Sequence, residues 1–195
     1  MLSPVAERLS SVNPNYLSVT SLALAIVAAA LYVIEWSTAL LVAAAMVALS
    51  GFLDALDGQV ARISSKASKR GDFLDHVIDR YSDAIILGAI TVSWRCPDPV
   101  GLIAVIGVML ASYMGTQAQA LGLGREYRGI LGRADRIAVL VIVSLAQFLL
   151  EASGSGLAEE MLYDLTIIGW MMVYFGLAGN ITALQRAYTI WKSTS

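Results

Sequence analysis

Two short acidic runs lie where a hydropathy profile leaves little room for charge. The first is Gly51-Phe52-Leu53-Asp54-Ala55-Leu56-Asp57-Gly58-Gln59-Val60-Ala61-Arg62, and the second is Gly71-Asp72-Phe73-Leu74-Asp75-His76-Val77-Ile78-Asp79-Arg80. Residues three and four apart share one face of a helix. Asp54, Asp57, Gly58 and Ala61 therefore form one stripe, and Gly71, Asp75 and Asp79 a second. The eight residues between Arg62 and Gly71 are polar and turn the chain, so the two stripes can face each other in an antiparallel pair. At about 1.5 Å of rise per residue, Asp79 stands roughly 12 Å along its helix from Gly71, which makes the site recessed.

Four carboxylates so arranged repel one another. At about 5 Å and an effective dielectric of about 20, each like-charged pair costs on the order of 3 kcal/mol. Two divalent cations would balance four negative charges. Oxygen-only ligands, with a single His in the chain, favour Mg²⁺ or Mn²⁺ over zinc. Such ions can hold a diphosphate and stabilise charge on a leaving oxygen. Gly58, Ala61 and Gly71 keep bulk off the same faces, so a phosphorylated ligand can approach the backbone. Arg62 stands at the rim, where a guanidinium can clamp a phosphate. The competing reading is that small residues serve helix packing and the charges pair with one another.

The elements that carry these stripes are apolar. Of the 195 residues 57% are hydrophobic and 14% charged, against roughly a quarter charged in a soluble domain. A spanning helix needs about 20 apolar residues. Six stretches qualify, near Leu17–Ile34, Thr38–Phe52 continuing to Ile63, Phe73–Trp94, Val100–Leu121, Ile137–Leu150 and Leu165–Ala178 continuing towards Trp191. The expected fold is all-α: one polytopic membrane domain over residues 1–195, with six transmembrane helices and a short N-terminal interfacial helix within residues 2–12. Asn13-Pro14-Asn15 reads as the cap of the first span. No cleavable signal pattern is expected in Met1 to Tyr16.

Basic residues are unevenly placed. Arg8, Arg62, Lys66, Lys69, Arg70, Arg125, Arg128, Arg133, Arg136, Arg186 and Lys192 fall on one side of this topology. The other side has only Arg95, with Glu35, Asp98, Glu151, Glu159 and Glu160. The positive-inside rule then puts both termini and the acidic site in the cytoplasm. A prokaryotic plasma membrane is the expected location, and no nucleic-acid partner is expected. Trp36, Trp94 and Trp191 fall near the expected membrane edges, where aromatic anchors belong.

The string Asp54-x-x-Asp57-Gly58-x-x-Ala61-Arg62, eight residues, Gly71-x-x-x-Asp75-x-x-x-Asp79 resembles the signature of the CDP-alcohol phosphotransferase (CDP-alcohol phosphatidyltransferase) family at every position. The resemblance implies a membrane transferase of phospholipid biosynthesis that moves a phosphate-linked lipid group from a CDP-lipid donor to a small alcohol. It implies that Asp54, Asp57 and Asp75 ligate the metals, and that Asp79 is both a metal neighbour and the base for the acceptor hydroxyl. It further implies that Asp54, Gly58, Ala61, Arg62, Gly71 and Asp75 shape the site for the CDP moiety. The hydroxyl would attack the phosphorus bearing the lipid and CMP would leave. The resemblance also implies a homodimer.

Gly132-Arg133-Ala134-Asp135-Arg136, after Ser112-Tyr113, resembles the branch of the family that uses inositol phosphate, with diacyl or archaeal ether lipids; the ending Thr182-Ala183-Leu184-Gln185-Arg186 looks similar too. Arg133 and Arg136 share a face at the start of the fifth span, and with Arg186 could bind an acceptor phosphate; the alternative is that all three meet lipid headgroups. The Lys and Arg usual in that branch two and four residues after the Tyr are here Gly115 and Gln117. Glycerol phosphate or an uncharged alcohol therefore stays open as acceptor. A cation transporter is the rival class, since intramembrane acids often mark ion paths; a purely structural membrane protein is the second. Asp72 and Asp83 read as polar residues beside the acidic face, His76 as a packed or interfacial histidine, and Cys96 as an ordinary loop residue. Lys66, Lys69 and Arg70 read as headgroup contacts.

Overall fold

Asn13 starts the first long helix as the sequence suggests, its side chain accepting the Asn15 N–H at 3.1 Å with Pro14 in the first turn. The structure, a computed structural model, describes residues 3–124, 128–154 and 165–194. Arg125, Glu159 and Glu160 lie outside the described residues. The elements are α1 (Ser3–Arg8), α2 (Pro14–Val33), α3 (Ser37–Ile63), α4 (Lys69–Thr91), α5 (Asp98–Ala120), α6 (Arg133–Ala152) and α7 (Ile167–Ser193). Six long helices thus match the six apolar stretches, and α1 falls within the expected N-terminal segment. Four of them, α2, α3, α5 and α7, are long and apolar enough to cross a membrane. α4 and α6 are long enough, but the polar first half of α4 and the Arg133, Asp135 and Arg136 opening of α6 dilute their apolarity.

α3 packs on α2, α6 and α1, whereas α4 packs on α2 and α5. The two stripe-bearing helices are therefore held by a shared neighbour, α2, rather than pressed together along their length, which leaves space between them. The short α1 is seated by Ala6, fully buried against Leu56 and Val60 of α3. Outward faces carry Ile26, Val27, Leu41, Val42, Ile142 and Leu149, all exposed, as expected of surfaces whose solvent is hydrocarbon.

α5 and α7 meet backbone to backbone. A Cβ on Gly179 would sit 2.8 Å from the carbonyl carbon of Gly107, and one on Gly107 2.9 Å from the Asn180 nitrogen. Small residues that allow such approach are how membrane helices gain van der Waals contact. Gly179→Val is expected to destabilise the protein by about 1–3 kcal/mol through overpacking, read as a lowered melting temperature in detergent. Gly88→Ala is the control, because nothing lies within 4 Å of its added carbon; it should be neutral or slightly stabilising.

The end of the bundle away from the acidic motif is closed by Arg95. Read from sequence as a lone loop cation, it is 1% exposed. Its Nε and Nη2 donate to the two Glu151 oxygens at 2.8 and 3.1 Å, and Nη1 donates to the Ile34 carbonyl at 3.2 Å. Gln147 donates to Glu151 and accepts the Ile167 N–H, both at 3.1 Å. Thr166 donates to the Arg95 carbonyl at 2.6 Å. The Arg95 side chain thus ties the loop after α4 to the end of α2 and the end of α6, and Gln147 and Thr166 extend the clasp to the start of α7. Neighbouring Cys96 is the loop residue expected, and it is buried; burial pushes its thiol up to about 11.

Candidate metal and phosphate site

The turn between α3 and α4 sets the offset of the two acidic stripes. The Ser65 N–H bonds to the Arg62 carbonyl at 3.3 Å and the Lys66 N–H to the Ala61 carbonyl at 3.0 Å, the pairing that stops a helix abruptly. Ser65 adopts φ 54°, a left-handed conformation that costs a non-glycine residue about 1–2 kcal/mol. Lys66 then reaches the carbonyls of Ser10 and Ser11, both at 3.3 Å, and fastens the N-terminal segment to the turn. Ser68 caps α4 by accepting the Gly71 N–H at 3.1 Å. A Cβ on Gly71 would lie 3.3 Å from that Ser68 hydroxyl, so the glycine keeps the start of α4 open.

Across the gap, carboxylate oxygens of Asp54, Asp57 and Asp75 lie within 4.8 Å of one another. Asp75, His76 and Asp79 form a second group within the same limit. The expected four-aspartate set therefore arrives as two overlapping groups that share Asp75, with His76 beside it: His76 Nδ1 is 3.7 Å from Asp75. Asp57 and Asp79 are each 4% exposed. Ser18 of α2 donates its hydroxyl to Asp57. Converging carboxylate oxygens with a hydroxyl-braced ligand suit a hard divalent cation.

Arginines complete the electrostatics. Arg133 donates from Nη2 to Asp54 at 3.0 Å and pairs through Nη1 with Asp79. Arg80 lies 3.5 Å from the other Asp79 oxygen and 3.9 Å from Asp83. Arg136 donates to Asp83 at 2.6 Å. The start of α6 is locked for this purpose, because Asp135 accepts the Gly132 N–H at 3.1 Å and leaves Arg133 and Arg136, three apart, on one face. The structure thus brings Arg133 and Arg136 to the acids of α3 and α4. Arg186 is directed elsewhere, donating to the Arg128 carbonyl at 2.7 Å and the Ala111 carbonyl at 2.6 Å. With Thr182, which accepts the Ile130 and Leu131 N–H groups at 3.1 and 3.2 Å, it pins the loop leading into α6.

Two cavities open from these acids. Asp57, Gly58, Ala61, Arg62, Gly71 and Asp75 line an open cleft of about 630 Å³, whose far wall is Asn15 and Ser18 of α2. A mostly apolar groove runs between α3 and α6 past Phe52, Ile137, Val141 and Ile142, with Asp54 and Arg133 at its head. Asp72 is exposed at the cleft's edge. Sequence reasoning passed over Ser18 and Arg80. Ser18 is a hydroxyl inside an apolar span, and Arg80 sits next to Asp79 in sequence, off the three-and-four pattern used to draw the stripe.

The sequence profile described as CDP-alcohol phosphatidyltransferase matches residues 11–191. An archaetidylinositol phosphate synthase of Pyrococcus horikoshii is 34% identical over 193 residues, covering 98% of this chain and 91% of the relative. Another, from Methanothermobacter thermautotrophicus, is 32% identical over 191 residues, covering 98% and 89%. In fold, the chain is similar to phosphatidylinositol phosphate synthase of Mycobacterium tuberculosis crystallised with CDP-DAG bound, with a TM-score of 0.72 and 22% identity over 98% of this chain and 94% of the other. The same enzyme in complex with manganese and citrate gives a TM-score of 0.71 at 20% identity, over 98% and 89%.

Proposed function

We propose that this chain, which belongs to the CDP-alcohol phosphatidyltransferase family, moves a phosphatidyl-type or archaeal ether-lipid group from a CDP-lipid to inositol phosphate, with release of CMP. Family membership makes it a transferase of phospholipid synthesis and sets aside the ion-carrier reading. With four apolar helices, it is an integral membrane protein that uses a divalent metal. The observation that carries the reading is the convergence of Asp54, Asp57 and Asp75 between the cleft and the apolar groove. The relatives' names favour inositol phosphate as acceptor.

Asp54, Asp57, Asp75 and Asp79 would hold two ions, Mg²⁺ or Mn²⁺, which when bound offset charge on the diphosphate and on the departing CMP oxygen. Gly58, Ala61 and Gly71 leave the cleft wide enough for the nucleotide, and Arg62 meets its phosphates at the rim. Ser68, Gly71 and Asp72, at the amino end of α4, line this cleft, and a helix amino end favours negative charge. The apolar groove between α3 and α6 takes the donor's lipid tails. Asp79 accepts the proton of the acceptor hydroxyl. That oxygen forms a bond to the phosphorus bearing the lipid, and the bond from that phosphorus to CMP breaks. Arg133 and Arg136 hold the acceptor's phosphate, and Arg186 fixes the loop that delivers them.

In the membrane, α4 and α6 cross alongside the four apolar helices, and α1 lies at the interface. The uneven basic residues support a site on the cytoplasmic side; in this reading the membrane is a prokaryotic plasma membrane and the protein works as a homodimer. Gly115 and Gln117, standing where cations are usual, favour a second reading with glycerol phosphate as acceptor.

The test is purified protein, a CDP-lipid and a panel of acceptors, following CMP release. Inositol phosphate should outperform free inositol by about 10–100-fold, the worth of charge-assisted bonds to its phosphate. Release with glycerol phosphate and none with inositol phosphate would establish the second reading in its place.

A further inference from the structure

Acids and arginines of α3, α4 and α6 alternate in one continuous chain: Asp54, Arg133, Asp79, Arg80, Asp83, Arg136. Asp83 is its last acid. It lies one turn beyond Asp79 on the Asp75–Asp79 stripe, yet among the described residues it supplies no atom to either group of potential metal ligands. Its side chain is 13% exposed, and it accepts from Arg136, 5% exposed, at 2.6 Å. A guanidinium buried that deeply cannot follow its partner into water, so the pair is fixed in place. Fixed there, Asp83 faces Arg80, whose two terminal nitrogens divide between acids: Nη2 is 3.5 Å from Asp79 and Nη1 is 3.9 Å from Asp83.

We infer that Asp83 is a positioning residue for the transfer reaction: anchored by Arg136, it draws Arg80 partly away from Asp79 and so keeps open to the metal and the acceptor the Asp79 oxygen that Arg133 does not occupy. The inference rests on the role proposed above for Asp79. Both distances to Arg80 are longer than a usual hydrogen bond. Without charge at position 83, Arg80 closes onto Asp79 and competes with the cation for that oxygen. Asp83 touches neither substrate nor metal in this account and acts through Arg80 alone.

The test reads Mn²⁺ binding by electron paramagnetic resonance in the absence of substrates, with turnover measured separately. Asp83→Asn is expected to weaken Mn²⁺ binding by about tenfold, within the usual range for residues that orient metal ligands. It should lower kcat while the KM for CDP-lipid stays within about twofold, as for an interaction made only in the transition state. Asp83→Glu, which keeps the charge, should recover much of the loss. Arg80→Gln removes the competitor, so the double variant Asp83→Asn/Arg80→Gln should bind Mn²⁺ as Arg80→Gln alone does. That comparison holds even if Asp83→Asn by itself fails to fold. A double variant that loses affinity relative to Arg80→Gln, or an Asp83→Asn protein that binds Mn²⁺ normally, overturns the inference alone. Absence of Mn²⁺ binding by the wild-type protein overturns the metal reading and this inference with it.

Discussion

Asp79→Asn should lower turnover by about 10³–10⁴-fold, about 4–5.5 kcal/mol of transition-state stabilisation, in a protein that still folds. Asp79 is the most buried acid of its stripe, 4% exposed, so water is poorly placed to substitute for it. An amide keeps the shape of the carboxylate but cannot take a proton from an alcohol at neutral pH. It also ligates hard cations weakly. Folding should survive, because Arg133 keeps its bond to Asp54 at 3.0 Å and Arg136 keeps Asp83. The measurements are CMP release under saturating substrates and a thermal melt of the same preparation. Near-normal turnover would move the base to another residue.

Arg95→Met should cost about 3–5 kcal/mol of stability, the usual result of leaving one member of a buried ion pair without its partner. For a chain of this size that is a fall of about 10 °C in melting temperature. The loss has two sources. Glu151 retains Gln147 but no longer has its bidentate cation, and charge-assisted forks of this kind are the stronger hydrogen bonds. The carbonyls of Tyr32 and Ile34, at the end of α2, lose the donor that reaches them at 3.4 and 3.2 Å, although helix ends depend on such donors. Arg95→Met combined with Glu151→Leu should recover much of the stability, since an apolar pair of similar volume often matches a buried ion pair. Kinetic constants of the folded variant should stay near wild type, because this clasp closes the opposite end of the bundle from Asp79. An additive double variant would mean that the two side chains do not stabilise one another.

These contrasting sites show what kind of information each level of structure carries. The acidic stripes were legible because helical periodicity is local: once residues 51–62 and 71–80 are helical, the chain geometry alone puts Asp54 with Asp57 and Asp75 with Asp79. The six long helices were legible for the same reason, since length and apolarity are properties of contiguous residues. The cap at Asn13 and the polar turn before Gly71 follow local rules too. By contrast, Arg95 reads as a loop cation because nothing near it in sequence reveals Glu151. Ser18 reads as a stray hydroxyl because its partner Asp57 belongs to the next helix. Arg186 reads as a phosphate ligand from its charge, while its folded environment turns it towards the backbone carbonyls of Arg128 and Ala111.

The amino-acid order therefore determined the elements, the faces on which acids and small residues lie, and the chemistry those acids can perform. The packing of α2, α5 and α6 around α3 and α4 decided which charges meet: the brace on Asp57, the sharing of Arg133 between Asp54 and Asp79, and the anchoring of Asp83 by Arg136. The reason is physical. Backbone hydrogen bonding within a helix depends on neighbours a few residues away, whereas an ion pair in a low-dielectric interior depends on two helices arriving at a separation of about 3 Å, which no local rule specifies.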